Sequence, residues 1–447
     1  MARTNEIDML HGPLFMKILQ FAVPLAASSI LQQLFNSVDV AVVGRFASSQ
    51  ALAAVGSNGP VINLLINLFV GISMGANVII SNHIGQDDRK SIRKAISTVC
   101  VVSLAGGAML MLLGILIARP VLEMMNTPAD VLDMAVLYLR IYFVGIPFFL
   151  IFNFGASILR SMGDTRRPLY ILVVAGIVNT LFNLLFVIVF HMSVAGVAIA
   201  TGIANMVSAA AIVTVLLREN KPFRLHPREM RIDRTELKRI LQIGVPAGIQ
   251  SMVFSLSNVF LQSAINGYGS AAVAGSAAAL NFEYYCYFLV VAFDGAAISF
   301  IGQNYGAGQN QRVKRIFRIC LLMSILCCGA ANIFFVWGDH FWLSFFSADP
   351  QVIDYGAIRM NIALLLQWTA CVYEIEGSSL RGMGKSVLPA VITVFGTCII
   401  RIGWVFLYCP FHHDFRALLS IYPTSWILTS TLMTFAFYKT YKKLREA

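Results

Sequence analysis

Six ionisable residues fall within apolar runs of this sequence: Asp39, Glu283, Asp294, Glu374, Glu376 and Arg401. A charge at the centre of a bilayer costs roughly 2.5–3.5 kcal/mol on insertion scales, so such residues face a cavity or a partner. Gln32, Asn36 and Asp39 follow i, i+4, i+7 spacing and form one polar stripe on a helix. Asn179 and Asn183 are again i and i+4, and at about 1.5 Å of rise per residue Asp39, Asn183 and Thr201 fall within the outer third of the membrane. One carboxylate ringed by amide and hydroxyl oxygens can take up a proton, or Na⁺ through hard oxygen ligands. Interhelical hydrogen bonding is the plainer use of the same groups.

The remaining charges are placed differently. Glu283 and Asp294 lie about three turns apart and share a helix face with Tyr287. No pairing partner is apparent for either, which suits a cationic substrate or a second ion. Glu374 and Arg401 are expected to form an ion pair, and Glu376 points nearly opposite Glu374. Aromatic residues crowd this region, among them Phe254, Tyr284, Trp368 and Tyr373. With carboxylates nearby, such faces suit flat lipophilic cations. No phosphate-binding loop, HExxH or G-x-S-x-G pattern occurs, so neither an enzyme nor a cofactor is expected. His412 and His413 adjoin without a third ligand, and the eight cysteines show no CxxC or Cys/His spacing. No metal site is therefore expected, apart from Na⁺ at Asp39.

The elements that must position these groups follow from composition. Of 447 residues, 58% are hydrophobic and only 12% charged, about half the roughly 25% charge of soluble chains. The apolar residues fall in runs of about the ~20 residues needed to cross a bilayer. The reading is an all-α membrane protein with spans at 14–43, 53–81, 94–118, 132–157, 169–190, 194–217, 238–265, 273–301, 316–338, 353–378, 388–408 and 418–438. A polar linker at 218–237 separates a six-helix half at 1–217 from a second at 238–447. The N-terminus leads into a retained first span rather than a cleaved signal. With both termini cytoplasmic, the inward loops carry 27 of the 33 Lys and Arg, as the positive-inside rule requires. Arg45, Arg119, Arg140, Arg359 and Arg416 then fall in outward loops. The formal charge of +11 is spread over short loops, so nucleic acid is not an expected partner. The expected partners are the lipid bilayer of the cell membrane and a small-molecule substrate, met by a monomer.

The halves repeat. "ILQFAVP" ending at Pro24 returns as "ILQIGVP" ending at Pro246, and "LRSMGDTRRP" (Leu159 to Pro168) returns as "LRGMGKSVLP" (Leu380 to Pro389). "SNHIGQDDRKSIRK" from Ser81 parallels "GQNYGAGQNQRVKR" from Gly302. Two six-helix bundles running the same way suit alternating access. Pro24 and Pro246, mid-span and equivalent, favour bends and are candidate hinges. The second half has Leu261 or Gln262 where the first has Asp39, so the two halves do not carry duplicate sites.

These motifs, in this order, resemble the multidrug and toxic compound extrusion (MATE) family across essentially the whole chain. The first-span Asp resembles the bacterial DNA-damage-inducible-type branch. The resemblance implies a V-shaped pair of bundles exporting cationic or lipophilic drugs in exchange for Na⁺ or H⁺. It implies ion coupling at Asp39, with Asn179, Asn183 and Thr201 around it. Members often carry Asp where this chain has Asn183, and the other branch's seventh-span Glu is missing. The first-half site is therefore favoured over Glu283, Asp294 and Glu374. A flippase of lipid-linked precursors is the alternative transporter, and a receptor or scaffold the alternative class.

Overall fold

The computed structural model describes residues 6–125, 127–220, 222–411 and 414–446, so His412 and His413 lie outside it. Among the described residues there is no β-strand. Apolar runs of this length become helices because lipid offers no partner to an open backbone N–H or C=O.

The first six spans are α1 (Leu14–Phe46), α2 (Ser49–Gly85), α3 (Arg89–Met124), α4 (Ala129–Ser161), α5 (Arg166–Leu184) and α6 (Ser193–Leu217). The next three are α7 (Arg234–Asn266), α8 (Ser270–Gly306) and α9 (Asn310–Trp337), followed by the short α10 (Asp339–Ser344). The tenth span is broken. It runs from α11 (Pro350–Arg359) through a π turn at Met360–Leu364 and a 3₁₀ turn at Gln367–Thr369 into α12 (Ala370–Gly382). The eleventh joins α13 (Val387–Thr393) and α14 (Ile400–Gly403) through a π turn at Val394–Ile399, and a second π turn follows at Trp404–Tyr408. After α15 (Phe415–Leu419), the twelfth is α16 (Ile421–Glu446). Ten of these segments are long and apolar enough to cross a membrane on length and composition alone. The interrupted tenth span and α16, rich in Ser and Thr, complete the twelve transmembrane helices of two six-helix bundles.

The repeated loops serve one local purpose. Gly163 and Gly384, at matching places in the two "LR-x-MG" loops, both have positive φ (91° and 80°), which glycine adopts without a Cβ penalty. At Gly163 a Cβ would also stand 2.4 Å from the carbonyl of Ile7. Asp164 is fully buried and accepts from the backbone N–H of Arg166 (3.0 Å) and Arg167 (3.1 Å), holding the first turn of α5.

By contacts the chain divides into two compact units: Met1–Asp8 with Ala27–Gly248, and Met9–Ala26 with Ile249–Ala447. This differs from a cut at the 218–237 linker, and side chains explain the difference. In the second unit Phe21 meets Phe300 edge-on at 5.5 Å, and Asn304 Nδ2 donates to the Met9 carbonyl at 3.0 Å. In the first, buried His83 and Glu236 are joined at 2.8 Å. Gly71 and Gly75 of α2 also lie against Gly244 and Gly248 of α7. A Cβ on Gly71 would sit 2.3 Å from the Gly248 nitrogen, and one on Gly75 2.5 Å from the Ile240 carbonyl oxygen. This is the small-xxx-small packing by which membrane helices bring backbones together. Each helix changes unit two residues beyond its proline, Pro24 or Pro246, and both helices are continuous across it.

Within the first unit α4 packs against α2, α3 and α6; within the second, α8 packs against α9, α11 and α12.

Candidate functional site

In the first unit, α1, α5 and α6 bring the predicted residues together. Asp39 is buried. Its Oδ1 accepts from Asn183 Nδ2, and its Oδ2 accepts from Thr201 Oγ1 at 3.2 Å. Asn183 Nδ2 also donates to Asn179 Oδ1 (3.2 Å), and Asn179 Nδ2 reaches Thr201 Oγ1 (3.4 Å). Among the described residues no Lys, Arg or His pairs with Asp39. One buried acceptor beside it, Asn183 Oδ1, has no hydrogen-bond partner. The carboxylate opens on a cavity of about 340 Å³, where Asn36 and Gln32 of the α1 stripe also lie.

Asn63 and Asn67 of α2, Tyr142 of α4, and Asn205 and Ser208 of α6 line the same cavity. The sequence reading missed them. Their signal was present, since Asn63 and Asn67 are i and i+4, and Thr201, Asn205 and Ser208 are i, i+4 and i+7.

The second unit departs from expectation. Glu283 is not unpaired, because Arg359 grips it at both oxygens, Nε to Oε1 at 2.6 Å and Nη2 to Oε2 at 3.0 Å. Arg359 is not in an outward loop either. It ends α11 and is 2% exposed. The expected Glu374–Arg401 ion pair is absent. Glu374 accepts from Tyr287 Oη at 3.3 Å. Arg401 donates to Ser425 Oγ (3.1 Å) and Asn258 Oδ1 (3.3 Å), with Phe254, Tyr422 and Trp426 around its guanidinium. Arg359 is the last residue of α11, just before the π and 3₁₀ turns that interrupt the tenth span.

Asp294 interacts electrostatically with Glu374 and Arg381, and its Oδ1 is buried without a partner. Glu376 is buried apart from this pair and accepts from Thr434 Oγ1 at 3.1 Å. Glu283, Tyr287, Arg359, Gln367 and Arg401 line a second cavity, of about 140 Å³, whereas Asp294 and Glu374 do not line it.

Three polar residues of the two sites lie next to π turns. Asn183 precedes the turn at Leu185–Val189, Arg359 the one at Met360–Leu364, and Arg401 stands between those at Val394–Ile399 and Trp404–Tyr408. Such turns concentrate at functional sites because an inserted residue redirects the side chains that follow.

Comparison with known proteins agrees with this architecture. The MatE family model matches the chain twice, over residues 24–185 and 246–407, each match beginning at one of the paired prolines. The probable multidrug resistance protein YoeA of Bacillus subtilis (strain 168) is 26% identical over 432 residues, spanning 94% of this chain and 92% of that protein. The probable multidrug resistance protein NorM of Thermotoga maritima is 26% identical over 398 residues, spanning 88% and 85%. Among solved structures, an outward-facing multidrug resistance MATE family transporter of the MOP superfamily superposes with a TM-score of 0.93. It is 20% identical and covers 100% of both chains.

Proposed function

The chain belongs to the MatE (MATE) family of multi-pass membrane transporters, and from that premise we propose that it is an antiporter exporting small lipophilic compounds in exchange for a cation taken up at Asp39. Membership places it among transporters rather than enzymes, and the relatives give no support to a flippase of lipid-linked precursors. The observation that carries the reading is a buried carboxylate with hydrogen-bond donors and no counter-cation, open to a cavity within the first bundle. An unpaired acid in such a place is a functional site by default.

The coupling ion is H⁺ or Na⁺. Protonation neutralises Asp39 and leaves the Asn183 Oδ1 lone pairs unused. Na⁺ would engage both the carboxylate and that oxygen, which supports a Na⁺ site of Asp39, Asn183 and Asn179. Coupling requires that ion and substrate prefer different conformations, and a helix bent at Pro24 is the element we assign to that change. Both termini lie on the cytoplasmic side in this reading, supported by the Lys and Arg bias of the short loops. The first-span Asp39 supports a reading within the DNA-damage-inducible-type branch.

The relatives' names support drug-like substrates. The expectation of a cationic substrate at Glu283 is withdrawn, because Arg359 already neutralises that acid. Proteoliposomes loaded with a panel of fluorescent lipophilic dyes, under a Na⁺ gradient or a pH gradient alone, test the proposal. Antiport predicts movement driven by one gradient and absent without it. Flux indifferent to both would refute it.

A further inference from the structure

The second unit contains a buried cation with an unused valence. Arg401 is 1% exposed, and both its protein acceptors, Ser425 Oγ and Asn258 Oδ1, are neutral. Its Nη2 has no hydrogen-bond partner. Glu283 is the one acid lining the cavity, and Arg359 already holds both of its oxygens. Two guanidinium groups against one carboxylate leave the cavity wall with one uncompensated positive charge. Glu374, hydrogen-bonded to Tyr287, is not part of that wall. Three ring faces within 6 Å offset part of the cost of burying Arg401, but its Nη2 stays without an acceptor. An unpaired buried charge is among the most costly arrangements in a membrane protein, so it marks a place where a ligand completes the structure.

The cavity sets the rest of the ligand. Its volume of about 140 Å³ is near the ~150 Å³ that accommodates a benzene ring. Phe254, Tyr287, Tyr373, Tyr422 and Trp426 supply aromatic surface around it, suited to offset or edge contacts with one more ring. One missing negative charge matches a carboxylate, whereas the nearly two charges of a phosphate monoester would overshoot. A cation would add a second uncompensated positive charge. Gln367 also lines the cavity, and its Oε1 has no partner, so a donor substituent on the ring would find an acceptor.

We propose that the second unit binds a monocyclic aromatic carboxylate, with the carboxylate on Arg401 and the ring among the surrounding aromatic side chains. The inference rests on the transporter reading and names a ligand class for it. It is tested on purified full-length protein in neutral detergent by calorimetric titration with benzoate, benzamide and benzamidinium, which share one ring and differ in charge. Benzoate is expected to bind at least tenfold more tightly than benzamide, and benzamidinium not measurably. Arg401→Gln should abolish the preference for benzoate while leaving weak benzamide binding. Equal binding of benzoate and benzamide, tightest binding by benzamidinium, or no binding by any of the three to folded wild-type protein would overturn the proposal. The wild-type series decides even where Arg401→Gln does not fold. No gradient enters this measurement, so failed antiport with intact benzoate binding, or the reverse, assigns the fault to one reading.

Discussion

Replacing Glu283 with leucine removes one partner of a buried ion pair and leaves the other. Arg359 would lose contacts at 2.6 and 3.0 Å and keep only a long bond to Tyr422 Oη at 3.4 Å and its stacking on that ring. Breaking a buried pair from one side costs about 3–5 kcal/mol, because the stranded charge stays desolvated. The remaining Tyr422 contacts return about 1 kcal/mol, so Glu283→Leu should destabilise by about 3 kcal/mol. Arg359→Met should cost a similar amount. The double variant Glu283→Leu/Arg359→Met buries apolar groups of similar volume and should return to within about 1 kcal/mol of wild type. Unfolding by sodium dodecyl sulfate in mixed micelles, followed by circular dichroism, gives the four corners of the cycle. A single variant as stable as wild type, or a double variant no better than the worse single, would refute the pairing argument.

Other outcomes follow from particular contacts. Thr201→Val deletes the 3.2 Å donor that stabilises the ion-free Asp39 carboxylate; at about 1.5 kcal/mol for a bond to a charged acceptor, the concentration of coupling ion that half-saturates flux should fall about tenfold. Gly71→Leu puts a branched side chain where even a Cβ meets the Gly248 backbone at 2.3 Å. It should destabilise the first unit by at least about 1–3 kcal/mol, read as a lower midpoint in the same titration, whereas Gly202→Ala, with open space around its Cβ position, should not. On α10, the hydrogen bond the imidazole donates to Asp339, the charge of Asp339 and that of Asp354 raise the pKa of the exposed His340, only partly offset by desolvation. Its stabilising contribution is therefore complete below the ordinary value of about 6.5 and lost as pH rises through the raised one. Diethylpyrocarbonate labelling of His340, followed by mass spectrometry, should have its midpoint above 6.5 and shift down in Asp339→Asn.

How much of this was legible in the sequence depended on whether the information was local. Asp39, Asn179, Asn183 and Thr201 could be grouped beforehand because helical periodicity fixes the face and rise per residue fixes the depth. Asn63, Asn67 and Asn205 carried the same periodicity and were overlooked among many polar residues in spans. The Glu283–Arg359 pair was not legible. Its partners lie on different helices, α8 and α11, which periodicity within a single span cannot relate. The assignment of Met9–Ala26 to the second unit was hidden for a related reason: the linker marks where the chain is polar, while unit membership is set by contacts such as Phe21 with Phe300. The glycines of α2 and α7 show i, i+4 spacing in sequence, but only the packing reveals that the two pairs meet.

The central claim is that Asp39 couples ion entry to export, and one comparison tests it directly. Wild type and Asp39→Asn, reconstituted at equal density, are given the gradient that drives dye movement, with dye flux and counter-flux of the ion recorded together. Asparagine keeps the size of the side chain and removes its charge, so the account predicts loss of both fluxes in a protein that still folds. Gradient-driven dye movement at the wild-type rate in Asp39→Asn would contradict it and move the coupling site to Asp294 and Glu374.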